Sequence, residues 1–88
     1  MERAGALAWL EQAGHVPVVL TPAERAYIVE EGAPMPTFAS AQNMVEAMAL
    51  VLCFHLIDAP PGPRVTLRRD IEQRAAYYKD LLLSAMTH

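Results

Sequence analysis

Residues 41–58, AQNMVEAMALVLCFHLID, are the most apolar part of the chain, and the rest is read around them. From Ala47 to Ile57 the only polar side chain is His55. An apolar run of this kind is either a buried strand or a buried helix, and length decides between them. Strands occupy about 4–8 residues, whereas this segment has 18. Its first half is built from Ala, Gln, Met and Glu, which are good helix formers. Ser40 is placed to cap the helix by accepting a first-turn N–H, and Thr37 is a second candidate cap. Pro60 and Pro61 stop it, because proline lacks the N–H and restricts the residue before it.

Three stripes of this helix are apolar. Met44, Met48, Val51 and His55 form one, and Val45, Ala49, Leu52 and Leu56 another. Leu50, Phe54 and Ile57 add a third. Such a helix is expected to be buried on all sides. A membrane span is not favoured, since the unbroken apolar run is shorter than the roughly 20 residues a bilayer requires and lies between Glu46 and Asp58.

The chain of 88 residues is read as one domain over 1–88. A chain this short buries only about 60–65% of its unfolded surface, so its stability is marginal without help. Yet 53% of its residues are hydrophobic and only 19% charged, which leaves apolar surface to be covered, most simply by self-association. Its single cysteine, Cys53, excludes an internal disulfide. The opening MERAGALAWLEQAG lacks the apolar core of a secretory signal, so the expected compartment is the cytoplasm. Frequent Ala, Pro, Arg and Val suit a GC-rich genome, and the small size suits a phage or mobile element.

Outward from the centre, residues 2–13 read as a short helix with Ala6, Leu7, Leu10 and Ala13 on one stripe, Trp9 half-buried beside it, and Gly14 ending it. HVPVVL, 15–20, reads as an extended connector, because Pro17 removes a donor and no second strand is present to pair with it. Thr21-Pro22-Ala23-Glu24 carries the signature of a capping box with proline at the first helical position. A helix is therefore predicted from 21 to 31, ended by Gly32. Tyr27 and Ile28 should face inward, and Glu24, Arg25, Glu30 and Glu31 should face water. GAPMPTFA, 32–39, is a proline-stiffened loop whose Phe38 tucks back on the core. After a rigid turn at 59–63, Thr66 should cap a last helix over roughly 67–86. On its apolar stripe are Leu67, Ile71, Ala75, Tyr78, Leu82 and Ala85. Arg68–Glu72 and Asp70–Arg74 are i,i+4 pairs on its other face.

The chain offers little chemistry. Its three histidines lie in separate elements, and Cys53 and His55 point in nearly opposite directions on one helix, so no metal site is expected. The four glycines are isolated, which excludes a phosphate-binding loop. Glu46 reads as a carboxylate favoured near a helix N-terminus. No cofactor and no catalytic set are expected. Residues 1–58 carry seven acidic and two basic side chains, a balance of −5, while 59–88 carry three acidic and five basic, a balance of +2. Arg64, Arg68, Arg69 and Arg74 form the basic patch, suited to an anion or an acidic partner.

These readings converge on a small all-α, four-helix bundle-like domain: two short N-terminal helices, a buried central helix and a longer C-terminal one, oligomeric. The expected function is that of a non-enzymatic interaction module, an assembly, adaptor or modulator subunit, with a second copy as the first partner. The expected contact residues are Met48, Val51, Phe54, His55, Tyr77, Tyr78 and Leu82. The alternative is a small regulator contacting nucleic acid through the arginine patch, which an acidic chain of pI about 5.5 disfavours.

Overall fold

The computed structural model describes residues 2–58 and 68–87. They form four helices and no strand: α1 (Arg3–Gln12), α2 (Pro22–Val29), α3 (Ala41–Asp58) and α4 (Arg69–Met86). The expected proline stop and turn, the Thr66 cap and Arg64 lie outside the described residues.

Local chemistry explains most boundaries. Glu2 caps α1, its carboxylate accepting from the Gly5 N–H at 3.2 Å. Gly14 follows with a positive φ of 81°, the left-handed geometry in which a side chain is strained. The capping box of α2 is present in both directions: the Thr21 hydroxyl accepts from the Glu24 N–H, and the Glu24 carboxylate accepts from the Thr21 N–H. At α3 the Ser40 hydroxyl accepts from the Asn43 N–H at 3.0 Å, so Ser40 caps the helix. The start of α4 differs from expectation. Arg68 stands at its cap position without a side-chain cap bond, and Asp70, in the first turn, accepts from the Ile71 N–H.

α3 packs chiefly against α4 and next against α2, which in turn carries α1. The connector 15–20 alternates as an extended chain does: Leu20 is buried and Val16 and Val18 half-buried, while Val19 points outward at 91% exposure. Leu7, Leu10, Ile28, Leu50, Phe54, Ile71, Tyr78 and Leu82 form the core with Ala47, Ala49, Cys53 and Ala75. The expected inward stripe of α4 holds at Ile71, Ala75, Tyr78 and Leu82, whereas Ala85 is exposed. Burial pushes the Cys53 thiol up to about 12, so it packs as a small apolar group.

Two expectations need correction. Glu24 does not face water; it is fully buried. Besides the Thr21 N–H, its carboxylate accepts from the Ala39 N–H at 2.8 Å and from the Asn43 amide at 2.8 Å. The Asn43 amide also donates to the Val19 carbonyl at 3.0 Å. One carboxylate thus ties the start of α2, the loop before α3 and the first turn of α3. The second correction concerns α3, which is not buried all round. Asn43, Glu46, Ala47, Leu50, Cys53 and Phe54 occupy its inward arc. The stripe Met44, Met48 and Val51 is only half-buried, and His55 is exposed. α2 and α4 cover the inward arc, and α1 packs on α2 rather than closing the remaining side.

Burial by itself would raise the Glu24 carboxyl, but bonds from Thr21, Ala39 and Asn43 outweigh it and hold it below the usual carboxylate value. A group depressed on folding stabilises above its unfolded pKa, about 4.3 for glutamate, and that contribution is lost as pH falls through the folded value. Glu24→Gln turns one acceptor into a donor facing donors. It should cost about 1–3 kcal/mol and remove part of the loss of stability below about pH 4.5, as read by urea denaturation across pH. Thr21→Ala, which removes only the cap, should cost about 1 kcal/mol at neutral pH by the same measurement.

Candidate functional site

The open side of α3 forms the candidate site. Met48, Val51, Leu52 and His55 recur at i, i+3, i+4 and i+7, so they share one face of the helix. Tyr27 from α2 and Ile71 from α4 stand on the same depression, which has a volume of about 180 Å³. Small-molecule sites usually enclose roughly 300–1,000 Å³ with several convergent polar groups. This one is smaller, and among the described residues that line it only Tyr27 and His55 carry a hydroxyl or a ring nitrogen. Its chemistry is that of a socket for apolar side chains, with one imidazole offering a hydrogen bond.

The position of α4, and so of this wall, depends on a second buried carboxylate. Glu46 is 1% exposed, so it is an interior acceptor as well as an early helical carboxylate. It accepts from the Tyr78 hydroxyl, from Arg74 Nε at 3.0 Å and from Gln42 Nε2. Arg74 Nη2 continues to the Tyr78 hydroxyl at 3.1 Å and the His15 carbonyl at 3.4 Å. Its guanidinium lies 4.5 Å from the centre of the Tyr77 ring and 4.8 Å from that of Tyr78. The predicted Asp70–Arg74 pair is replaced: Arg74 reaches to Glu46, and Asp70 takes Arg68 at 2.7 Å. A charge buried on α3 demands a partner more strongly than an exposed carboxylate does.

Of the predicted contact residues, the structure brings Met48, Val51 and His55 together at the depression. Phe54, Tyr78 and Leu82 are placed in the core of the single chain. Tyr77 is exposed at 39% but stands elsewhere, its hydroxyl 3.3 Å from His15 Nδ1, in an aromatic row with His15 and Trp9. The arginine patch is divided, with Arg74 turned inward, Arg68 paired with Asp70, and Arg69 exposed. Sequence reasoning missed Tyr27, Leu52 and Ile71 as site residues. The spacing of Leu52 from Met48 carried a signal, but the walls depend on helix placement.

Among the described residues no three His, Cys, Asp or Glu side chains are grouped to hold a metal ion. α3 has the length and apolarity of a membrane span, with a mean hydropathy of 1.2; it also carries buried Glu46 and packs against α2 and α4. No protein-family model matches this chain, and no curated protein and no solved structure matches it either.

Burial raises the Tyr78 hydroxyl well above its usual value, and its hydrogen bond to Glu46 adds to this, against an opposing effect of Arg74. A group raised on folding stabilises below its unfolded pKa, here about 10, and the contribution is lost as pH climbs through the folded value. Tyr78→Phe removes a donor from a buried carboxylate and should cost about 1–3 kcal/mol at neutral pH. It should also remove a share of the alkaline loss of stability above about pH 10, as followed by circular dichroism.

Proposed function

We propose that this chain is a non-enzymatic protein-interaction module that works through the open flank of α3. The observation that carries the reading is the seam Met48–Val51–Leu52–His55, partly exposed between Tyr27 and Ile71. Its spacing is that of helix-in-groove recognition, in which an amphipathic helix sets apolar side chains into a channel. The first partner to consider is a second copy, because an apolar chain of 9.7 kDa gains most from covering such a face. An assembly, adaptor or modulator subunit fits this description.

A nucleic-acid regulator has less support. Of the four arginines proposed for it, Arg74 is used by Glu46 and Arg68 by Asp70. Phosphate binding draws on cations free to exchange their counterions.

Val51→Glu tests the proposal. Val51 is only half-buried, so the variant should keep its helical signal and melt within a few degrees of the parent. Light scattering coupled to size exclusion at tens of micromolar should give about twice 9.7 kDa for the parent and 9.7 kDa for the variant. A parent that elutes as a monomer, or a variant that keeps the parent's mass, would sink the self-association reading.

A further inference from the structure

The joint between α2 and α3 rests on little apolar material. α2 has eight residues and buries two side chains, Ile28 and Glu24. A helix that short does not hold by itself in water. Glu24 serves both its cap and its attachment. Oε1 accepts from the Thr21 N–H at 2.9 Å and from the Asn43 amide at 2.8 Å, and Oε2 accepts from the Ala39 N–H at 2.8 Å. α4 is held differently. It contributes Ile71, Ala75, Tyr78 and Leu82 to the core and packs along α3, with the Glu46–Arg74 pair in addition.

Each of these three bonds comes from an uncharged donor. The titratable groups on the elements around Glu24 are turned elsewhere. Glu11 of α1 and Arg25 of α2 pair with each other, His15 of the connector meets Tyr77, and Glu46 of α3 takes Arg74. Tyr27 lies edge-on to Phe38, and Glu30 and Glu31, at the end of α2, are exposed. A protonated carboxyl is itself a donor. A proton on either Glu24 oxygen therefore meets an N–H and displaces a bond, leaving a buried donor without an acceptor.

We propose that Glu24 is an acid-released latch: protonating its carboxyl frees residues 21–40 from α3, while α3 and α4 stay paired. Segments with few buried apolar contacts are the ones that open without the rest. Burial pushes the Glu24 carboxyl up, but the bonds from Thr21, Ala39 and Asn43 outweigh it and hold it below the usual value. Such a group contributes fully above its unfolded pKa, about 4.3, and the contribution is lost as pH falls toward the folded value. The latch is thus closed at neutral pH and opens in acid. Opening carries Tyr27, one wall of the α3 depression, away from it and uncovers the arc of α3 that α2 had covered. That consequence bears on the interaction reading of the flank, but the latch itself does not rest on it.

Amide hydrogen exchange of the full chain at about pH 6 and about pH 3, each corrected for the intrinsic rate at that pH, tests the latch. Protection at residues 23–30 and at Ala39 should fall by up to about tenfold for each pH unit between the unfolded and folded values of Glu24. Residues 47–54 of α3 and 71–82 of α4 should keep theirs. Glu24→Gln, which cannot gain the proton, should exchange quickly over 23–30 at both pH values and still protect 47–54 and 71–82. Glu30→Gln, which removes an exposed carboxylate from the end of the same helix, should respond to acid as the parent does. Protection retained over 23–30 at about pH 3, or lost together from α2, α3 and α4, would overturn the proposal. So would an acid response abolished by Glu30→Gln, or a Glu24→Gln chain with no protected amides, since Glu24 would then hold the whole domain. None of these outcomes depends on whether the α3 flank self-associates.

Discussion

A carboxylate taken out of water must be surrounded by donors, and this small fold is arranged to meet that requirement twice. Glu24 and Glu46 are both buried. Leaving either without partners would cost more than a domain of this size can spare. Glu24 draws its donors from Thr21, Ala39 and Asn43, and Glu46 from Gln42, Arg74 and Tyr78. Among the described residues no buried side-chain nitrogen or oxygen lacks a partner. The two sets act at different places: Glu24 joins α2 to the first turn of α3, and Glu46 joins α3 to α4 and, through Arg74, to the connector after α1.

Apolar packing alone would leave the relative placement of these helices loosely specified, because it is not directional. The two carboxylates supply direction. α2 stands on one side of α3 and α4 on the other, and Tyr27 and Ile71 then border the flank that neither covers. The open seam Met48–Val51–Leu52–His55 is thus a consequence of where the buried polar groups pull the flanking helices. α1 adds little cover there. Its N-terminal Arg3 pairs with Asp58 at the far end of α3 and lies 5.9 Å from the centre of the Phe54 ring, while its Glu11 pairs with Arg25 of α2.

The same network sets the aromatic row. Arg74 is shared by Glu46, the Tyr78 hydroxyl and the His15 carbonyl, and both tyrosine rings lie against it. Tyr77 is therefore held at the surface by a cation whose charge is neutralised inside. Arg74, one of the four arginines grouped by composition, is therefore part of the interior network, while Arg68 and Arg69 remain exposed.

Much of the local structure was legible in the residues alone. The Thr21–Glu24 box, the Ser40 cap, Gly14 as a helix terminator and the 3.6-residue period of Ile71, Ala75, Tyr78 and Leu82 depend on neighbours a few positions away, so the sequence suffices to place them. The half-buried placement of Phe38 and the burial of Cys53 followed from apolarity. What the sequence could not decide is which polar groups go inside and which apolar ones stay out. Glu24 looks like any first-turn glutamate until Asn43, 19 residues on, donates to it, and Arg74 looks like half of a surface i,i+4 pair until Glu46, 28 residues back, draws it inward. A buried charge is set by donors distant in sequence, and the exposed seam of α3 by which arcs the other helices reach; both exist only once the helices have packed.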